Sequence, residues 1–227
     1  MSETISVVIP LKNGERFVTE ALESVMGQTR QPDEVLVVEG GSSDRSRELA
    51  ASFEGVTVLD QPGTGIGNAW NHGIRESTGS LLAFLDSDDR WTPGKLEAQE
   101  AALEGRPELA GMLGIVRHFQ EPGYELQPNM RPGLIGSEQI AQMPSTMLVR
   151  RETFDRVGLF DETYLIAGDI DWYARFKDLG LRWGEIEELV LEKRYHDSNL
   201  SVSAAQLNNV EMARLLRRSI ERQRGEE

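Results

Sequence analysis

The sequence contains no cysteine among its 227 residues. Disulfide bonds, thiol nucleophiles and cysteine-ligated zinc sites are therefore excluded. No apolar run approaches the roughly 18 residues that a membrane-spanning helix needs. The first residues, MSET, have neither the basic start nor the apolar core of a secretory signal. Together these absences predict a cytoplasmic protein.

Positive charge is also scarce, with 24 Lys and Arg against 38 Asp and Glu and a formal net charge of −14. Proteins that bind nucleic acid or anionic lipid usually present a basic surface. The composition therefore predicts no nucleic-acid partner. A small ligand that carries phosphate is still allowed, because a bound cation can reverse the local field.

Short apolar runs alternate with helical patterns through the first half of the chain. The runs Ile5–Pro10, Glu34–Glu39, Val56–Leu59 and Leu81–Leu85 predict strands. A helix is predicted after each of the first three. This alternation indicates an α/β fold with a parallel sheet between two layers of helices. Ligands of such sheets bind at the carboxyl ends of the strands.

The fourth predicted strand ends in the acidic sequence Asp86-Ser87-Asp88-Asp89. Carboxylates this close repel one another, so a cation or several hydrogen-bond donors must stabilise them. Carboxylate oxygens suit Mg²⁺ or Mn²⁺, which often bind through a few carboxylates and substrate phosphates. A solvated turn with helix-capping aspartates is the alternative.

Other polar residues end neighbouring strands at the same predicted edge. They are Asn13, which can also cap the first helix, Glu39, and the turn Gly40–Asp44. Gly63-Thr64-Gly65-Ile66-Gly67 only partly matches a dinucleotide-binding turn, because Asn68 stands in place of the third glycine. The convergence at the strand ends therefore favours a ligand site.

The second half predicts a strand over Gly111–Phe119, a long loop over 120–144 and a helix over Asp169–Leu179. Two strands follow, around Arg182–Ile186 and Leu189–Tyr195. Asp169 and Asp171 open the helix about 200° apart, so they are not expected to share one role. Asp171 is predicted to cap the helix or to pair with Arg175.

Residues 204–227 predict a separate C-terminal amphipathic helix. Its narrow apolar stripe consists of Leu207, Val210, Ala213, Leu216 and Ile220. The stripe can pack on the rest of the chain or pair with a second copy, so a homodimer through this helix remains open.

Seven motifs occur in the order found in family 2 glycosyltransferases, and the chain resembles that family over roughly residues 5–203. The motifs are Ile5–Asn13, Val37–Asp44, Asn71–Ile74, Phe84–Asp89, Gly158–Glu162, Gly168–Asp171 and Arg194–Ser201. Members are inverting enzymes of the GT-A fold, with a central, mostly parallel sheet flanked by helices and a Rossmann-like N-terminal half. The resemblance implies one catalytic domain over 1–203, with a nucleotide-binding half at about 1–105 and an acceptor half at about 106–203.

The resemblance also implies the ligands and a role for each site residue. The donor would be a UDP-, dTDP- or GDP-sugar, and the acceptor a saccharide, a lipid-linked compound or a small molecule. Asp88, in the DxD motif Asp86-Ser87-Asp88, would bind Mn²⁺ or Mg²⁺ together with His196. Asp169 would be the general base. The donor would be bound by Pro10, Leu11, Asn13, Glu39, Asp86 and Ser87.

Three positions depart from the family pattern. Glu39 replaces the usual Asp, Trp70 an Arg, and Gly168 the Glu that normally precedes the base. The Gln-x-x-Arg-Trp signature of processive synthases is absent, which favours transfer of a single sugar. Two alternatives remain: a nucleotidyltransferase of related fold, and a nucleotide-sugar-binding module without catalysis.

Overall fold

A computed structural model describes residues 3–125, 133–199 and 205–224. The strands are β1 (Ile5–Leu11), β2 (Glu34–Glu39), β3 (Val56–Asp60), β4 (Leu81–Phe84), β5 (Arg90–Trp91), β6 (Gly111–Gln120), β7 (Glu138–Ile140), β8 (Leu148–Arg150) and β9 (Trp183–Tyr195). The helices are α1 (Val18–Met26), α2 (Ser46–Ala51), α3 (Ile66–Glu76), α4 (Lys95–Leu103), α5 (Glu152–Val157), α6 (Gly168–Asp178) and α7 (Ala205–Arg224), with a 3₁₀ turn at Pro144–Thr146. The four predicted N-terminal strands are confirmed, β2 residue for residue.

The nine described strands join one sheet in the order β3-β2-β1-β4-β8-β6-β9-β5, with β7 added on β6. The first four strands run parallel, β8 runs antiparallel to β4 and β6, and β9 pairs with β6 in parallel. The chain order reverses at β1, between β2 and β4. Such a reversal opens a crevice beyond the strand ends, where ligands bind. Asn13 and Asp86 both follow strands at this crevice.

Helices cover both faces of the sheet, as the alternating pattern predicts. Alternate residues of β1 enter two different cores, with Val7 in one and Val8 in the other. Gly73 permits α3 to lie close to β1 on the second face of the sheet. A Cβ at this position would lie 2.2 Å from Cγ1 of Val8, which real side chains do not allow. The glycine of the Asn71–Ile74 motif thus serves packing of α3 on β1.

The prediction of two strands between Arg182 and Tyr195 is wrong, because β9 is one continuous strand of 13 residues. The two exposed residues Glu187 and Glu188 resemble a turn in the sequence. In the structure they occupy an irregularity in the pairing, since the register jumps between Leu113 and Val116 of β6. A bulge places extra residues in one strand without ending it.

Helix α7 packs on the rest of the chain through a different face from the predicted stripe. Leu215 is 5% exposed and packs with Tyr164 and Ala167. Within the stripe, Val210, Leu216 and Ile220 are exposed, and the side chain of Leu207 lies outside the described residues. The described side chains of the stripe therefore do not pack on the domain, and pairing with a second copy stays a prediction. Among the described helices, none is long and apolar enough to cross a membrane.

Candidate active site

Two loops meet at the crevice beside β1, one after β1 and one after β2. The Asn13 amide donates to Ser42 Oγ at 2.9 Å, and Asn13 Oδ1 accepts from the Ser43 amide at 2.9 Å. Asn13 adopts a left-handed backbone (φ 51°), which asparagine tolerates better than most residues. The prediction that Asn13 caps the first helix is wrong, because α1 begins only at Val18. The Asn13 side chain is bonded instead to the loop after β2. Asn13 therefore joins the loop after β1 to the loop after β2.

Glu39 holds the turn that follows β2. Its carboxylate is buried and accepts from the amides of Ser42 at 2.6 Å and Gly41 at 3.2 Å, with Arg47 at 3.4 Å. Burial opposes ionisation, but these donors hold the pKa of Glu39 below its usual range. Glu39 thus lies at the predicted edge as an anion bonded to its own turn.

The other residues that are predicted to bind the nucleotide sugar lie around the same crevice. Leu11 is buried at the end of β1, and Pro10 beside it is half-buried. Ser87 follows β4, and a Cβ placed on Gly14 would lie 3.3 Å from Ser87 Oγ. The loop after β4 therefore lies directly against the loop after β1.

Asp88 is held by two side chains from the segment after β9. His196 Nε2 lies 2.9 Å from Asp88 Oδ2, and Asn199 Nδ2 donates to the same oxygen at 2.9 Å. Although burial opposes it, the His196 contact helps to hold the pKa of Asp88 below its usual range. Both contacts are made to Oδ2, so Oδ1 is the oxygen that can turn toward a cation.

His196 is fixed on both sides of its ring. Its Nδ1 accepts a hydrogen bond from the Ser198 amide at 3.2 Å, and in that tautomer Nε2 donates to Asp88. The ring packs on Phe17 with centroids 4.5 Å apart. In this arrangement His196 orients Asp88. The predicted role of His196 as a metal ligand stays a prediction.

Asp89 ties the acidic loop to β9. It is fully buried, accepts from the Arg194 amide at 2.7 Å and pairs with Lys193 Nζ at 3.1 Å. Burial raises its pKa to about 7, and Asp88 and Asp86 add repulsion. Both oxygens of the Asp89 carboxylate are used in these contacts, so Asp89 anchors the loop rather than facing a ligand.

Asp86 is the carboxylate whose environment fits a cation. Its amide is held by Ser145 Oγ at 3.1 Å, while Oδ1 is buried and has no hydrogen-bond partner among the described residues. Burial raises its pKa, and repulsion from Asp88 adds to the rise. Oxygens of Asp86, Asp88 and Asp89 all lie within 4.8 Å of one another. An orphaned, buried carboxylate oxygen beside a second carboxylate suits a hard divalent cation.

Asp169, in the second half of the chain, lies near enough to the acidic loop for the charge of Asp86 to act on it. It lies in the first turn of α6, where its Oδ1 accepts from the Ile170 amide at 2.8 Å. Burial raises its pKa to about 6, and Asp86 is close enough to add repulsion. Asp171 is instead buried and bonded to Arg175 at 2.8 Å, as the sequence predicts. The two aspartates therefore have separate partners.

Sequence reasoning assigns no individual role to three residues of this site, although Glu162 and Asn199 lie within two of the quoted motifs. Lys193, which contacts Asp89 and lies 3.8 Å from Asp86, is one charged residue in a strand rich in them. Asn199 reads as part of a polar turn. Glu162 joins α3 to the loop before α6, because Asn71 and Asn68 donate to it at 2.8 Å each. Only the three-dimensional pairing of distant segments brings these groups together.

Comparison with protein families gives a clear assignment. The family model for glycosyl transferase family 2 matches residues 6–164. An uncharacterized glycosyltransferase of Rickettsia typhi is 26% identical over 223 residues, which cover 92% of this chain and 69% of the relative. Glycosyltransferase AglE of Haloferax volcanii is 28% identical over 190 residues, which cover 78% of this chain and 62% of the relative.

Solved structures show the same fold. S. aureus TarS, crystallised as residues 1–349 with UDP-GlcNAc, superposes with a TM-score of 0.70 and 21% identity, covering 88% of this chain and 61% of that chain. The same fragment in complex with UDP gives a TM-score of 0.67 and 20% identity, covering 85% of this chain and 60% of that chain. The predicted GT-A fold is confirmed. Since the family model matches well over half of this chain, the chain belongs to glycosyl transferase family 2 and is a glycosyltransferase.

Proposed function

We propose that this glycosyltransferase moves one sugar from a nucleotide-diphosphate sugar to an acceptor hydroxyl with inversion, and that Asp169 is the general base. The observation that supports the proposal is that Asp86 lies close enough to Asp169 for its charge to raise the pKa of Asp169, although the two residues are far apart in the sequence. Donor-side and acceptor-side groups thereby share one crevice.

The nucleotide would occupy the loops after β1 and β2. Pro10 and Leu11 would form one wall of the nucleotide site, and Asn13 joins its two loops. Glu39 fixes the turn after β2 beside this site. Asp86 and Ser87 follow β4 at the adjoining edge. The solved complexes of TarS with UDP and UDP-GlcNAc support a donor of this class.

A divalent ion, Mn²⁺ or Mg²⁺, would be held by Asp88 and Asp86, with His196 in reach of Asp88. When bound, it would neutralise the negative charge of the diphosphate leaving group. Neighbouring side chains would preorganise this cation site. His196 and Asn199 orient Asp88, and Lys193 limits the repulsion among the carboxylates.

Asp169 would take the proton from the acceptor hydroxyl as its oxygen forms the new glycosidic bond. The bond from the anomeric carbon to the diphosphate breaks on the opposite face, which inverts that centre. A carboxylate with a pKa of about 6 is ionised at neutral pH and yet basic enough to accept a proton. One positioned base is sufficient for a direct displacement.

The test is a screen of UDP-, dTDP- and GDP-sugars with Mn²⁺ by thermal shift, followed by assay of nucleotide release with and without EDTA. We expect one donor to stabilise the protein and to be turned over only with the metal. NMR of the product should show inverted anomeric configuration. Retained configuration would contradict the mechanism, and release of pyrophosphate from a nucleoside triphosphate would instead indicate a nucleotidyltransferase.

A further inference from the structure

Helix α7 lies against the loop that leads into the helix of Asp169. Glu211 on α7 accepts hydrogen bonds from three consecutive backbone amides, those of Leu165 at 2.7 Å, Ile166 at 2.9 Å and Ala167 at 2.9 Å. Burial opposes ionisation of Glu211, but these three donors hold its pKa below the usual range. Hydrogen bonds to an ionised acceptor are the stronger kind.

The three amides directly precede Gly168 and Asp169. An isolated loop of this kind would present its amides to water in several conformations. A single carboxylate that engages all three restricts the backbone to one conformation immediately before α6. The direction of the first turn of α6, which carries Asp169, is then set by Glu211.

Docking of α7 does not depend on Glu211 alone. Leu215 packs on Tyr164 and Ala167. Further along the helix, Arg218 pairs with Asp161 at 2.6 Å and Arg222 with Asp178 at 3.1 Å. The helix therefore has independent contacts that hold it in place when the Glu211 carboxylate is removed.

We propose that Glu211 is a positioning residue, whose carboxylate fixes the backbone of Leu165–Ala167 and so directs Asp169 toward the donor crevice. This inference rests on the proposed role of Asp169 as base. Glu211 lies outside residues 6–164 that match the family model, so the inference comes from contacts of this chain itself.

The test compares Glu211→Gln and Glu211→Ala with the control Glu221→Gln. Glu221 is a carboxylate on the same helix whose ion pair among the described residues is with Arg217, at 2.9 Å. Hydrogen exchange of the backbone amides should accelerate at Leu165–Ala167 in Glu211→Ala, less in Glu211→Gln, and not in the control. Unchanged exchange of those amides in both Glu211 variants would overturn the proposal without reference to any substrate.

Activity gives the second readout, with UDP-GlcNAc as the probe donor and release of UDP as the signal. We expect kcat to fall about tenfold in Glu211→Ala, with Glu211→Gln intermediate, while the Kd for the donor stays within about twofold, because the donor crevice is built by other elements. A wild-type kcat in Glu211→Ala, or an equal loss of donor affinity, would overturn the positioning role.

A double variant separates this inference from the proposed function. In an Asp169→Asn background, Glu211→Ala should cost nothing further, because the group that it positions is already disabled. Full activity of Asp169→Asn alone would refute the base assignment, whereas an inactive Asp169→Asn with an unaffected Glu211→Ala would refute only the positioning role.

Discussion

His196 Nε2 lies 2.9 Å from Oδ2 of Asp88, although the two residues are 108 positions apart in the chain. This contact joins the loop after β4 to the segment after β9. It fixes one carboxylate oxygen and leaves the other for a ligand. The candidate metal site is therefore built jointly by the two halves of the sheet.

Replacement of His196 by alanine should weaken metal binding without abolishing it. Asn199 still holds Asp88 in this variant, and loss of a partner that orients a ligand typically costs about 10- to 100-fold in metal affinity. Titration with Mn²⁺ monitored by electron paramagnetic resonance measures the change. His72→Ala is the matched control, since His72 lies on α3 beside Glu76, and unchanged metal affinity in His196→Ala would contradict the role of the contact.

Turnover should depend on pH through Asp169. A general base works only when it is deprotonated, and burial raises the pKa of this carboxyl to about 6. The rate should therefore be steady above pH 7 and fall tenfold for each pH unit well below 6. The profile of kcat against pH at saturating donor and metal measures this limb. A flat profile down to pH 4.5 would show that no group of this kind limits the reaction.

The pairing of Asp89 with Lys193 predicts a large effect on stability. Asp89→Asn removes the carboxylate nearest to the Lys193 ammonium, at 3.1 Å, and leaves Asp86 at 3.8 Å. Above pH 7 Asp89 is ionised, and breaking one side of a buried ion pair then costs about 3 kcal/mol. Urea denaturation measures the free energy of unfolding, and Arg217→Gln, at an exposed pair on α7, should change it by less than about 0.5 kcal/mol. A similar loss in both variants would contradict the burial argument.

The sequence predicts those parts of the fold that depend on local pattern. The alternation of β-branched runs and amphipathic helices identifies the parallel strands, and Leu81–Leu85 places the aspartates at a strand end. The continuous strand β9 is missed because Glu187 and Glu188 resemble a turn, whereas the sheet accommodates them as an irregularity against β6.

Long-range polar contacts account for most of what the sequence does not reveal. Counting apolar residues on α7 selects the stripe of Val210, Leu216 and Ile220, but the docked face is decided by Leu215 and by ion pairs with distant aspartates. Lys193 likewise has no recognisable spacing to Asp89. Such pairs are properties of the folded chain, so the candidate residues are predictable while the partners that tune them are not.

The most direct measurement is the turnover of Asp169→Asn together with its affinity for the donor. Asparagine keeps the size of the side chain and removes its basicity. We predict a loss of kcat of about 10²- to 10⁴-fold, while the Kd of the donor measured by calorimetry with Mn²⁺ stays within about twofold of the wild-type value. Turnover close to the wild-type rate in a variant that binds donor normally would contradict the assignment of Asp169 as the base.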